Sequence, residues 1–363
     1  MKTRIILVGG FLGAGKTTLL WEAARKLTKQ GKHVGLITND QASELVDTAF
    51  LELTGGVVSE VSGSCFCCNF NGFTNAISNI KAKKHVDIII AEPVGSCTDL
   101  SATIMQPLKE KLGNDLDISP LTVLVDPERL NDILDGGTSG LHASAAYIVQ
   151  KQLEEADIIA ITKTDLLSQD NLELLKNRAA DKWPLATILA LSSKNGEGME
   201  MWLNEVTNRL NAGTYLVEVD YDVYAEGEAV LGWLNTTLVL HGNSVKWDSL
   251  AEKLLKELGS RFDNLKAAIG HIKLLVEAGD QYVIGNLTGK KESLNIRGSA
   301  GMGNEAKMII NARVEMNPAE LDNIVSEVVS KVCGEDITQK VEASKCLKPG
   351  RPNPTHRYDY IVR

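Results

Sequence analysis

What the chain lacks narrows it first. No apolar run approaches the roughly 18 residues that a membrane-spanning helix needs, so no membrane partner is expected. No Lys/Arg-rich block stands out and the formal net charge is -9. A binder of phosphate backbones usually presents a basic face, so nucleic acid is not an expected partner either. The six histidines are scattered rather than gathered in a tract, and no internal repeat is visible. Six cysteines in 363 residues do not make a disulfide framework for a cytosolic chain. Metal binding, redox chemistry and plain burial are the roles left open for them. The opening M-K-T-R-I-I-L-V-G-G imitates a secretory leader. Lys16-Thr17-Thr18 follow it, however, and the stretch reads better as a strand and a phosphate loop, so the chain is read as cytosolic.

What is present is an alternation. Short apolar runs recur at Ile5 to Val8, Val34 to Ile37, Val86 to Ala91, Leu121 to Val125, Ile158 to Ile161 and Ile188 to Leu191. Runs without polar alternation suit parallel strands covered on both faces. Helical stretches such as Thr17 to Lys29 and Asn171 to Lys182 separate them. The expected fold class is therefore α/β, a doubly wound and mostly parallel sheet over residues 1–212. An acidic, aromatic linker is expected at 213–228, and a C-terminal α+β domain at 229–363 with an extended tail. In that domain Met308, Ile310, Ala312 and Val314 alternate with Asn311, Arg313 and Glu315, which predicts a half-exposed antiparallel strand. Ile272, Leu274 and Val276 predict another before a Gly279-Asp280 turn, and Leu250, Leu254 and Leu258 share one helix face. A second helix should open at Asn317-Pro318-Ala319-Glu320 and close at Gly334. Arg357 to Val362 is a possible last strand.

Gly10-Phe11-Leu12-Gly13-Ala14-Gly15-Lys16-Thr17 fits G-x-x-x-x-G-K-[ST] between a strand and a helix. Its glycines let backbone N–H groups turn inward around phosphate oxygens, and the helix N-terminus adds its dipole. Lys16 would reach the β- and γ-phosphates, Thr17 would hold Mg2+, and Ala14 and Thr18 complete the cradle. Thr162-Lys163-Thr164-Asp165 follows a strand, and a carboxylate there can accept from the ring N–H and the amine of guanine. Ser192-Ser193-Lys194 follows the next strand, placing Ser193 and Lys194 beside the base. The expected ligand is GTP, with GDP as product. Glu92-Pro93-Val94-Gly95 ends another strand, so Glu92 would hold Mg2+ or its water and Gly95 would sense the γ-phosphate. Asn39-Asp40, with Glu44 and Asp47 beyond, supplies acidic groups where a switch belongs; Asp40 or Glu92 would position water, and Asp47 is a further candidate metal ligand.

Cys65, Cys67 and Cys68 fall within four positions. Thiolates are soft ligands suited to zinc, copper(I), iron or cobalt. Buried thiols and redox regulation remain alternatives, although a bond between the vicinal Cys67 and Cys68 would be strained. Three sulfurs leave a tetrahedral site one ligand short, and Cys97, water, a partner or a client could complete it. Cys333 reads as core, while Cys346 and His356 are possible accessory ligands.

These motifs, G-G-F-L-G-A-G-K-T-T, T-N-D, S-C-F-C-C, E-P-V-G, T-K-T-D and S-S-K, stand in the order found in CobW-type P-loop GTPases, which the sequence resembles. Those proteins are relatives of UreG and HypB within the SIMIBI class. The resemblance is firm from Met1 to about Asn211 and covers the rest in outline. It implies a ferredoxin-like C-terminal domain of the CobW type and slow GTP hydrolysis coupled to delivery of a transition metal, Zn2+ or Co2+, to a client metalloprotein. It also implies that Cys65, Cys67 and Cys68 are the metal site, and that GTP promotes a homodimer. The alternative is an assembly chaperone for a cofactor-dependent enzyme, such as a corrinoid protein, with the cysteines not a carrier site. Thr162 stands where the family often has asparagine, and the family's histidine tract is missing.

Overall fold

The computed structural model describes residues 2–39, 46, 57–61, 63–83, 85–289 and 294–363. The chain divides into two compact units. The first comprises Met1–Gln41, Leu51–Gly227 and Arg351–Arg363, and the second Ala42–Phe50 and Glu228–Gly350.

The first unit begins with β1 (Thr3–Gly10), α1 (Lys16–Lys29), β2 (Val34–Asn39), β3 (Val57–Val61), α2 (Phe70–Lys83) and β4 (Ile88–Glu92). A π-helical turn at Ser101–Met105 leads into α3 (Gln106–Leu112), then β5 (Leu116–Ile118), β6 (Thr122–Val125), α4 (Pro127–Leu134) and α5 (Ala143–Glu154). The unit continues through β7 (Ile158–Ile161), α6 (Gln169–Lys182), β8 (Thr187–Ala190), α7 (Met199–Asn208) and α8 (Tyr221–Ala229). The sheet order is β3-β2-β4-β1-β6-β7-β8, with β5 also against β1. Every pairing among the described residues is parallel. The central strands are buried on both faces, which is why their sequences run apolar without alternation. A parallel sheet brings all its carboxyl ends to one edge, so the loops after β1, β2, β4, β7 and β8 gather there.

The second unit contains β9 (Leu231–Lys246), α9 (Trp247–Asn264), β10 (Ile269–Ala278), β11 (Gln281–Leu287), β12 (Asn295–Ser299), β13 (Met302–Glu315), α10 (Pro318–Cys333) and β14 (Ile337–Leu347). Its antiparallel sheet runs β12-β11-β10-β13-β9-β14. Setting aside the β11-β12 hairpin leaves a βαββαβ chain in the order β14-β9-β13-β10, the ferredoxin-like arrangement expected. Leu250, Leu254 and Leu258 of α9 and Leu321, Val325 and Val329 of α10 share one core with Ile272, Leu274, Met308 and Ile310. Asn317 caps α10, its side chain accepting from the Ala319 N–H at 3.0 Å, and Gly334 ends it at φ 62°.

Four expectations are corrected. β13 is not half-exposed. Asn311 and Arg313 are each 1 % exposed, because Asn311 Oδ1 accepts from the Val46 N–H at 2.8 Å and Arg313 lies 4.5 Å over the Trp233 ring. The segment taken as a linker is tied down: Tyr215 Oη donates to the Ala156 carbonyl, and 221–229 is helical. Residues 351–363, expected with the second domain, group with the first unit. They form no strand, and the last strand is β14.

Candidate nucleotide and metal site

The phosphate loop lies between β1 and α1. Gly10, Gly13 and Gly15 have φ of 125°, 81° and 94°. At Gly10 a Cβ would fall 2.4 Å from the Leu124 carbonyl oxygen, so only glycine lets β1 end there. No side chain caps α1 at Gly15, and no acidic residue lies in its first turn. A helix N-terminus of that kind suits an anion, since its first N–H groups have no intrahelical partner. Lys16 Nζ donates to the Gly10 carbonyl at 2.8 Å and lies 3.8 Å from Glu92 Oε1. Thr17 Oγ1 donates to Glu92 Oε2 at 3.1 Å. Ala14 and Thr18 occupy the expected places, the first buried and the second half-buried. Arg129, which the sequence did not flag, donates from Nη1 to the Leu12 carbonyl at 2.9 Å and stacks over Phe11.

The T-K-T-D and S-S-K loops, expected to recognise the base, follow β7 and β8. Thr162 Oγ1 donates to the Ala14 carbonyl at 3.0 Å, fastening the T-K-T-D turn to the phosphate loop. Lys163 takes a left-handed backbone at φ 54°, and the Thr164 N–H reaches the Leu191 carbonyl. Asp165 is oriented by Ser192 Oγ, which donates to Oδ1 at 2.7 Å, and Lys194 Nζ stands 3.8 Å from Oδ2. Ser193 sits half-buried between them. Asp40, Glu44 and Asp47 lie outside the described residues.

The loop after β4 carries Gly95, where a Cβ would meet Leu12 Cδ2 at 2.7 Å and Lys16 Nζ at 3.1 Å. Glycine therefore allows the loop to close on the lysine. Gln152 Nε2 holds the loop from below, donating to the carbonyls of both Gly95 (2.9 Å) and Cys97 (2.7 Å). Beyond it Asp99 is fully buried at φ 62°, with Arg357 Nε 2.7 Å away and Tyr221 Oη donating at 2.8 Å. Burial raises the Asp99 carboxyl above its ordinary value despite these partners. Burial, followed by the Asp99 charge, pushes Glu155 up to about 8.

The cysteine turn hangs from β2. Asn39 Nδ2 donates to the carbonyls of Val61 (2.7 Å) and Ser64 (2.9 Å), and its Oδ1 accepts from the Phe66 N–H at 2.8 Å. The sequence suggested a switch at this position; the amide's grip on the turn was not legible. Cys65, Cys67 and Cys68 have sulfurs within 4.8 Å of one another. A tetrahedral ion with Zn–S of about 2.3 Å separates its sulfurs by roughly 3.8 Å, so the three fit a soft metal with small adjustment. Hydrogen bonds from Cys67, Cys68 and Cys97 lower the Cys65 thiol well below its ordinary value. The contact with Cys65 raises Cys67 and pushes Cys68 up to about 11. Cys333 is buried in the second unit's core, and Cys346 Sγ donates to the Pro318 carbonyl. His356 packs its ring edge-on to Phe70 at 5.1 Å.

The profile of the family described as "CobW/HypB/UreG, nucleotide-binding domain" matches residues 4–190, just over half of the chain. This chain belongs to the CobW/HypB/UreG family. It is similar to the "Zinc-regulated GTPase metalloprotein activator 1" of Schizosaccharomyces pombe, at 26% identity over 180 residues, covering 47% of this chain and 41% of that one. It is likewise 26% identical over 182 residues to the "Zinc chaperone YeiR" of Escherichia coli, covering 48% and 50%. The chain thus spans about half the length of the curated relatives it matches. The solved structure of the hydrogenase maturation factor HypB of Archaeoglobus fulgidus overlays with a TM-score of 0.40 at 19% identity, covering 58% of this chain and 91% of that chain. In this CobW/HypB/UreG domain the motif-bearing loops supply an anion cradle, a carboxylate-hydroxyl pair with the hard oxygens magnesium prefers, and a cluster of soft sulfurs. No described helix is long and apolar enough to cross a membrane.

Proposed function

We propose that this protein binds and hydrolyses GTP, and that its nucleotide state governs the binding and delivery of a transition metal, zinc or cobalt, to a client protein. One observation carries the reading. Thr38 and Glu92 pair across β2 and β4, so Asn39, which grips the cysteine turn, lies beside Glu92, which accepts from Thr17 of the phosphate loop. A change at either site is felt one strand away. The names of the relatives, a zinc chaperone and a zinc-regulated GTPase activator of metalloproteins, support the same reading.

In this reading Lys16 offsets charge on the departing phosphates, and Thr17 and Glu92 would hold magnesium, which neutralises the same charge. Asp165 accepts from guanine with Ser193 and Lys194 alongside, while Asp40 or Glu92 orients water. Slow turnover by the isolated protein is part of this reading, since the sequence names no arginine finger to stabilise the transition-state charge. A homodimer promoted by GTP is part of the proposal, and light scattering with and without a non-hydrolysable analogue tests it.

The deciding experiment titrates zinc and cobalt(II) into the GDP form and into the analogue-plus-magnesium form, and repeats both with Cys67→Ser. Affinity that depends on the cysteine and differs between nucleotide states supports the coupling. Equal affinity in both states overturns it.

A further inference from the structure

The three thiols of the C-x-C-C turn come from one tight stretch in which the Asn69 N–H donates to the Cys65 carbonyl at 2.9 Å. Their sulfurs approach to 3.0 Å between Cys65 and Cys67 and 3.8 Å between Cys67 and Cys68. A fourth thiol meets them from a different element. Cys97 is 1 % exposed, and its thiol lies near enough to Cys65 and Cys67 to shift both, while the sulfurs that all lie within 4.8 Å of one another are those of Cys65, Cys67 and Cys68. Cys97 thus stands beside that set from another element, and its approach would supply the donor number and softness of a closed tetrahedral zinc site.

Cys97 differs from the other three in what it is attached to. It lies two residues beyond Gly95, the position that closes on Lys16, and five beyond Glu92. Its N–H donates to the Val94 carbonyl at 2.9 Å, folding the loop into a turn. The single amide of Gln152, itself 1 % exposed, donates to the carbonyls of both Gly95 and Cys97. Gly95 and Cys97 are held as one piece, whereas Cys65, Cys67 and Cys68 hang from Asn39.

We propose that Cys97 is the fourth thiolate of the metal site and the ligand through which nucleotide state reaches the metal. The inference rests on the metal-delivery reading above and adds its ligand set and its regulation. Three thiolates on one turn keep hold of the ion while the fourth advances or withdraws with the phosphate-sensing loop. Metal can then be gripped by four sulfurs in one nucleotide state and offered to a client by three in the other. Gln152 is a positioning residue in this scheme, since it touches neither metal nor phosphate.

X-ray absorption of the zinc-loaded full-length chain counts the sulfurs directly. Four sulfurs are expected in wild type in at least one of the GDP and GTP-analogue states, and three in Cys97→Ser in both. Zinc affinity of Cys97→Ser should fall by more than the roughly 10–100-fold that loss of an outer-shell partner costs. The ratio of affinities between the two nucleotide states should collapse toward one. Gln152→Met should retain the sulfur count in the GDP state yet lose much of that ratio, a pattern that general destabilisation would not produce. Three sulfurs in wild type in both states, or an unchanged count in Cys97→Ser, would overturn the inference and leave the metal-delivery reading standing. Wild type alone decides the ligand number should Cys97→Ser not fold. A full affinity ratio retained in Cys97→Ser would overturn the regulatory half. Failure of wild type to bind zinc or cobalt(II) in either state would overturn the underlying reading as well.

Discussion

Thr355 donates its backbone N–H to the Cys67 carbonyl at 2.8 Å, across 288 positions of sequence. Its Oγ1 donates to the Cys68 carbonyl at 3.1 Å, and two residues earlier the Asn353 N–H donates to Cys68 Sγ at 3.2 Å. Arg357 on Asp99, and Tyr358 and Tyr360 on Glu110, continue the same run. The segment R-P-N-P-T-H-R, residues 351–357, is thereby a backing strip for the cysteine turn, and an N–H donor to a thiolate is what a metal-bound sulfur requires of its surroundings.

Thr355→Val removes the hydroxyl bond to Cys68 while keeping the side chain's shape. Stability to denaturant should fall by about 1 kcal/mol, and hydrogen exchange at residues 65–70 should speed up. Unchanged exchange there would mean that the tail does not back the turn in solution.

Lys16→Ala should lower GTP turnover by at least about a hundredfold, the scale of losing one preorganised charge-stabilising donor. Phosphate release under saturating GTP measures it. The variant also removes the ammonium that lies 3.8 Å from buried Glu92. A lower melting temperature should accompany the kinetic loss.

Asp165→Asn replaces an acceptor-only carboxylate with an amide, which offers a donor where guanine presents donors of its own. GTP affinity should drop on the order of 10³-fold or more, because a site built to accept two hydrogen bonds tolerates a mismatched partner poorly. Xanthosine triphosphate, which carries a carbonyl in place of the guanine amine, should bind better to the variant than to wild type. Competition binding with the two nucleotides reads both effects.

Glu155 gives the fold a pH dependence with a definite sign. Its carboxyl is raised from 4.5 to about 8, so the folded chain keeps a proton that the unfolded chain has released. Stability from this group is greatest below about pH 4.5 and is lost progressively as pH rises toward 8, by on the order of 4 kcal/mol in all. Glu155→Gln should flatten that decline, since the Thr98 hydroxyl can turn to accept from the amide. Urea midpoints measured from pH 5 to 8 test it.

Much of the nucleotide site was legible because its determinants are local. The run from Gly10 to Thr17 encodes its own backbone, and T-K-T-D and S-S-K each follow a short apolar run that forms a strand, buried before the first and half-buried at the sheet edge before the second. The short strand β5 was missed because three residues carry no period. β14 was missed because it is a polar edge strand, exposed on most of its length, with no buried face to impose alternation. β13 misled in the opposite sense: its alternation was real, but both faces are covered.

The sequence by itself determined the glycine-rich loop, the T-K-T-D and S-S-K turns and the presence of a sulfur cluster, since each depends on neighbours a few residues apart. Only the tertiary structure decided that Asn39 holds that cluster and that residues 351–363 return to back it. Those contacts span tens to hundreds of positions. They arise from parallel strand order and chain reversal, and neither leaves a periodic mark in the amino-acid sequence.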